Sequence, residues 1–402
     1  MAFARKLFFA TLFLSILMES QAANTDPWFN TVAWYFHADL QSWVQGIGIA
    51  LNPIEIVLII IVVAWMLRGR KDKRYHFERG LLYWPILALF AMLLYGVLWG
   101  LVRSGSDLAI ALQEVRALFY CVIAYFLVGI LFTHRRDLET LTWVILISAF
   151  LLGIEDTIRY FFLLPGHVVG DLTYDHEDVV LLAFAILLAG AMVLLGSTRR
   201  QKIFAFVSIP LDLLAMGVTH RRAGFAALVA GAVFLAILLF RANRALFFKI
   251  VPVTALIFSI YLAAYWNCGG GTLCQPARAI SSQFNPDPRD LASNAYRITE
   301  TEDLSLNIQS NPLTGLGFGQ PFIFYIPVAN LSFWKFWNYT PHNEILWVWV
   351  KTGMLGFFAF WWLMGTGIYR SGRLVRALSL AGDYRARAIL AAAACLIVMQ
   401  IT

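Results

Sequence analysis

The residues best suited to chemistry stand near the end of the chain, in Thr340-Pro341-His342-Asn343-Glu344, where a polar, aromatic-rich stretch meets a long apolar run. Thr340 has the side chain of an N-cap, and Pro341 suits a first helical position, which has no use for an N–H. His342 is then expected in the first helical turn, where the helix dipole disfavours imidazolium. A neutral imidazole accepts a proton near neutral pH, which suits a general base. The same residues also suit a plain helix start with no chemistry. Arginines supply the second ingredient. Arg221 and Arg222 precede Ala223-Gly224 at a helix start, and as neighbours they point to different faces, so one of them turns inward. Arg297 lies on an expected polar helix at 293–309. Arg116 lies inside the run that begins near 111, with Glu114 and Asp107 as alternative structural partners. Guanidinium forks bind phosphate oxygens bidentately. Lys351 follows His342 by nine residues, which puts it on the opposite helix face, so a buried pair or cavity role is expected for it instead.

One base beside several cations suits group transfer from a lipid diphosphate. The histidine deprotonates an incoming hydroxyl while the arginines hold the departing diphosphate. No metal and no cofactor is expected. The acidic stretch Asp171, Asp175, His176, Glu177 and Asp178 reads as a solvated loop, and Asp156 with Arg159 as a structural pair.

The elements that must position these residues are membrane helices. Of 402 residues, 60% are hydrophobic and 14% charged, which no soluble core of this length requires. The fold class is all-α, a polytopic integral membrane protein with about 11–12 spans and one long loop. Apolar runs occur at about 3–18, 48–67, 81–101, 111–132, 138–163, 177–196, 202–218, 223–240, 246–266, 343–368 and 388–402. Residues 1–22 resemble a signal peptide and equally suit a first anchor helix. The last run reaches Thr402 before any closing loop, so the native chain is expected to continue. The organisation expected is an N-terminal bundle at 1–266, a loop with amphipathic helices at 267–341, and C-terminal spans from 342 to 402.

Charge sets the orientation. If the first run leaves the cytoplasm, the stretches 1–6, 68–80, 133–137, 198–202, 241–249 and 370–387 are cytoplasmic. They hold 2, 6, 2, 3, 3 and 5 lysines and arginines, 21 of the 31 in the chain. The net charge of +7 therefore reflects topology rather than nucleic-acid binding. His342 faces the outside, together with the aromatic segments 28–43 and 322–339, which are expected to flank a lateral opening for lipids. Cys268 and Cys274 bracket a Gly-rich turn on that side and are a candidate disulfide, whereas Cys121 and Cys395 are expected to be packing residues.

Three stretches resemble the O-antigen ligase/polymerase family. His342-Asn343-Glu344 followed by Gly353-Met354-Leu355-Gly356 is similar to the family's His-Asn and Gly-Leu-x-Gly pattern. Arg297, then Pro312-Leu313 with Gly315 and Gly317, keeps the spacing of its arginine and Pro-Leu-x-Gly-x-Gly turn. Thr301 stands where the family often has an aromatic. Arg221-Arg222-Ala223-Gly224 is similar to its Ser-Arg-Gly-Ala, and spacing makes Arg222 the equivalent arginine. The resemblance covers about 200–370. It implies a glycosyltransferase in the inner membrane of a Gram-negative cell, with its site facing the periplasm. The donor implied is an undecaprenyl-diphosphate-linked glycan. The acceptor implied is the lipid A–core oligosaccharide for a ligase, another lipid-linked repeat for a polymerase, or a protein serine for an oligosaccharyltransferase, with the ligase favoured. The site implied is His342 as catalytic base, Arg222 and Arg297 on the diphosphate, and Arg221 and Arg116 as further diphosphate ligands. A lipid-linked glycan transporter is the competing class.

Overall fold

The computed structural model describes residues 2–17, 52–69, 79–163 and 176–401. The aromatic segment 28–43 and the loop carrying Asp171 and Asp175 lie outside the described residues, as do the side chains of Arg159 and His176 to Asp178. Among the described residues there is no strand, and every apolar run read from the sequence is a helix. In chain order these are α1 (Ala2–Leu17), α2 (Pro53–Gly69), α3 (Tyr83–Val102), α4 (Leu108–Leu131), α5 (Arg135–Ile158), α6 (His176–Leu195), α7 (Arg199–Val218), α8 (Arg222–Ala242), α9 (Arg244–Tyr265), α10 (Gln275–Ser281), α11 (Pro288–Ser310), α12 (Glu344–Leu380) and α13 (Tyr384–Met399). Seven are long and apolar enough to cross a membrane, and the apolar helices Pro53–Leu67 and Val179–Leu195 are shorter. The chain is an all-helical, multi-pass membrane protein.

Two compact units share the chain by turns. Unit 1 comprises Met1–His76, Leu131–Phe284 and Arg370–Thr402; unit 2 comprises Phe77–Ile130 and Asn285–Tyr369.

In unit 1, α6 is the central helix, packed by α5, α7, α8 and α13. Small residues make this possible. Ala183, Ala185, Ala189 and Ala191 of α6 are fully buried, as are Ala391, Ala392, Ala394 and Cys395 of α13. A Cβ on Gly224 of α8 would fall 1.5 Å from Val179 Cγ1. In the absence of a hydrophobic drive between helices in lipid, such close approach is what holds them together. Cys395 is the packing residue expected, but Cys121 is exposed on α4 rather than packed. The Cys268–Cys274 disulfide is formed, with Cα atoms 5.8 Å apart, and leads into α10, which packs on α8.

Unit 2 is built around a glycine-lined strap. α3 and α4 pack with α12 through Leu89, Leu93, Val115, Trp347 and Val348. The segment 312–320 threads between these helices, and its backbone polar groups find partners on all three. Leu316 N donates to Val350 O (2.6 Å), Gly317 N to Lys351 O (3.1 Å) and Phe318 N to Gly96 O (3.0 Å). Trp99 Nε1 donates to Gly315 O (3.1 Å), and Gly319 N to Glu114 Oε2 (2.6 Å). Irregular backbone inside a bundle is tolerable only when it is satisfied in this way. Close approach explains the glycines. A Cβ on Gly100 would lie 2.0 Å from Phe318 O, and one on Gly317, at φ +89°, would lie 2.3 Å from Gly100 N. Gly353 breaks α12 with φ 69° and ψ −172°, which makes room for Leu313 O.

Beneath the strap lies the pair expected for Lys351. Its Nζ sits 2.7 Å from Glu114 Oε1, both side chains being fully buried, and donates to Gln320 O at 2.5 Å. Glu114 is thereby taken by Lys351, and Asp107 caps α4 through Ala109 N (2.8 Å).

The strap makes a direct prediction. Gly317→Ala combines a left-handed backbone with overlap onto Gly100, so it should cost about 3 kcal/mol or more. In thermal unfolding of the detergent-solubilised protein, Gly317→Ala should melt well below wild type, whereas Gly105→Ala, also at positive φ (80°) but with nothing near its Cβ, should lose far less.

Candidate active site

The site is assembled on α11. Asp287 caps this helix through Asp290 N (2.8 Å), and Pro288 occupies its first turn. One face is buried at Glu300, Asp303, Leu304 and Asn307, a helical spacing. That face holds the following loop: Asp303 Oδ1 accepts from Tyr325 N (2.8 Å) and Ile326 N (2.9 Å), while Asn307 accepts from Ile323 N (3.0 Å) and donates to Ile323 O (2.8 Å). Phe322 is thus core rather than interface, at 2% exposed, and Phe333 is 86% exposed.

The chain then brings His342 onto Glu300. The backbone N–H of His342 donates to Glu300 Oε2 (2.8 Å), and its Nδ1 lies 3.1 Å from the same oxygen. The carboxylate is 1% exposed, the imidazole 42%. Tyr296, one turn before Glu300, sets its ring edge-on to the imidazole with centroids 5.5 Å apart. Burial, then the charge of Glu300 and a hydrogen bond with it, pushes the Tyr296 phenol up to about 12. The phenol therefore stays protonated across the working pH range. A carboxylate on Nδ1 selects the tautomer with the proton there and leaves the Nε2 lone pair as the acceptor. This is the arrangement of a base oriented by a second group.

The helix start differs from the sequence expectation. α12 begins at Glu344, and Asn343 caps it, accepting from Leu346 N at 3.1 Å through its side chain and from Trp347 N at 3.0 Å through its carbonyl. Asn caps as strongly as Thr, and Glu300 has taken the His342 N–H. His342 therefore precedes the cap rather than lying in the first turn, and a carboxylate contact replaces the expected helix field as the feature that organises it. Glu300 escaped the sequence reading. Its one signal was an acid three residues after Arg297, one helical turn away, which gives no hint of a partner 42 residues downstream.

The arginines divide between the units. Arg297 is exposed on α11 in unit 2, within a turn of Glu300, so the structure brings it and His342 to the same part of that helix. Arg116 is half-buried on α4, also in unit 2. Arg221 and Arg222 belong to unit 1, at the N-terminus of α8, where Arg222 Nη1 donates to the buried Ser282 Oγ at 3.2 Å. Among the described residues, no three His, Cys, Asp or Glu side chains gather as they would around a metal ion.

A histidine is thus held by a buried carboxylate of a polar helix, within a turn of an exposed arginine, in a multi-pass membrane protein. Residues 205–361 match the family model described as O-antigen ligase (Wzy_C). That span takes in Arg221, Arg222, Arg297, Glu300, the strap and His342, and the match supports a function of the ligase or polymerase type. No curated protein matches the chain.

Proposed function

We propose that the protein is an O-antigen ligase, an inverting glycosyltransferase that moves a glycan from undecaprenyl diphosphate to the lipid A–core oligosaccharide at the periplasmic face of the inner membrane. The observation that carries this reading is the contact of His342 Nδ1 with buried Glu300, which leaves Nε2 of a half-exposed imidazole as the nitrogen that takes a proton. A sugar hydroxyl is a weak nucleophile until its proton leaves. Nε2 takes that proton as the acceptor oxygen bonds to the anomeric carbon and the carbon–oxygen bond to the diphosphate breaks. Attack opposite the leaving group inverts the anomeric centre. The diphosphate departs as an anion held by arginine, so it needs neither a general acid nor a metal. Arg222 and Arg297 are the principal diphosphate ligands in this reading, with Arg221 and Arg116 as secondary ones. The exposed aromatics of 322–339, Phe333 and Trp334 above all, sit in the headgroup layer of the bilayer.

A strain lacking the protein tests the reading. A ligase defect accumulates polymerised lipid-linked glycan outside while lipid A–core stays bare. Core capped with single repeats would indicate a polymerase, and loss of glycan from the outer face a transporter. Unchanged core glycosylation, with glycan missing from protein serines instead, would indicate an oligosaccharyltransferase.

Lysine at either principal arginine keeps the charge but loses the fork. Arg222→Lys and Arg297→Lys should each lower transfer by about tenfold or more, since one charge-assisted bond is worth about 1.5–3 kcal/mol. Full activity in both variants, measured with purified lipid-linked donor, would make them interface anchors.

A further inference from the structure

A cavity of about 610 Å³ opens at one end of unit 1, and none of the residues proposed for transfer lines it. Three helices begin around it. α5 starts at Arg135, α7 at Arg199 and α13 at Tyr384, and each contributes first-turn residues to the lining. Each helix start carries roughly half a positive charge. Arg135, Lys202 and Arg385 add three cations, against the carboxylates Glu139 and Asp383. Arg135 pairs with Asp383 at 2.9 Å yet stays 85% exposed, and Arg385 pairs with Glu139. Lys202 has no ion-pair partner among the described residues. The first turn of α7 also exposes Arg199 and Arg200. The lining is thus cationic beyond what its carboxylates neutralise. Leu138, Leu378 and Ile389 form an apolar wall on the same cavity.

We propose that this cavity binds the phosphate headgroup of an anionic phospholipid. The Lys202 ammonium, with the Arg135 and Arg385 guanidiniums, supplies the anion site, and the helix starts, whose amides are capped by Asp137, Thr198 and Asp383, add only their field. The apolar wall, continuous with helices long enough to span a membrane, suits a glycerol backbone and the first methylenes of its acyl chains, where a free phosphate would leave the wall facing water. The lysine and arginine distribution puts this end of α5, α7 and α13 in the cytoplasm, so the ligand is a lipid of the inner leaflet.

The test compares thermal unfolding of the solubilised full chain with phosphatidylglycerol, phosphatidylcholine or inorganic phosphate added. Phosphatidylglycerol should raise the melting temperature by about 5 °C over phosphatidylcholine, as ligand in large excess over Kd does. Lys202→Ala/Arg385→Ala should abolish that difference. Native mass spectrometry should show phosphatidylglycerol retained by the wild type and lost from the variant. Equal melting in the two lipids overturns the proposal, as does a variant that keeps the difference. Inorganic phosphate matching phosphatidylglycerol would make this a free-anion site and overturn the lipid assignment.

Discussion

His342→Ala should fold, insert and bind lipid-linked glycan, yet transfer almost none of it. The side chain is 42% exposed, and without it the backbone N–H of residue 342 still bonds Glu300, so truncation should cost the fold less than loss of a fully buried partner. Loss of a general base typically lowers rate about 10²–10⁴-fold. Glu300→Gln sharpens the test. Its amide can present an NH₂ to Nδ1, which forces that nitrogen to accept and puts the imidazole proton on Nε2, where the base is needed. The rate should fall about as far as in His342→Ala, while Glu300→Asp, which keeps an acceptor-only group, should recover part of it. The measurement is transfer from purified donor to lipid A–core acceptor, with melting temperature as the control for folding. A His342→Ala enzyme working near the wild-type rate would sink the mechanism. So would wild-type activity that EDTA abolishes and Mg²⁺ restores.

The largest loss of stability should come from Lys351→Met. Its ammonium is fully buried against Glu114 and Gln320 O, and its removal strands a carboxylate in the bundle interior. Breaking one side of such a pair costs about 3–5 kcal/mol. Part of this should return in Lys351→Met/Glu114→Gln, because an uncharged amide has less desolvation to recover, although Gly319 N then keeps only a neutral acceptor. A double variant no more stable than Lys351→Met would show that the strap needs the charge itself. Activity in both variants should follow the folded fraction, since the pair bonds to the strap and contacts neither His342 nor Glu300.

Periodicity and charge made the helices legible. The runs at 83–102 and 223–240 are apolar throughout, with a basic loop at the cytoplasmic end of each, so their existence follows from solvation alone. α11 was legible as well, expected at 293–309 and found at Pro288–Ser310, because Pro288 and Asp287 extend its start. The strap was not. Its glycines read as a turn that ends a helix, since the atoms that demand Gly317, on Gly96 and Gly100, and Gly319, on Asp107 and Ala111, lie more than 200 residues away in sequence. Glu300 was hidden for the same reason. An acid on a polar helix looks solvated until the partner that buries it is known. The start of α12 slipped by a few residues because Thr340 and Asn343 are both competent caps, and a tertiary contact decided between them.

The strap also constrains biogenesis. The ribosome delivers α3 and α4 first and the strap next, while the carbonyls of Val350 and Lys351 that receive its amides are made last. Until they arrive, the N–H groups of Leu316 and Gly317 have only water to bond, and the strap must stay at the aqueous margin. It can seat only after α12 has inserted, when nine-residue irregular backbone moves into a slot already walled on three sides. A nascent chain released before residue 353 would therefore hold its spans in the bilayer and still lack the floor on which α12, and with it His342, is aligned.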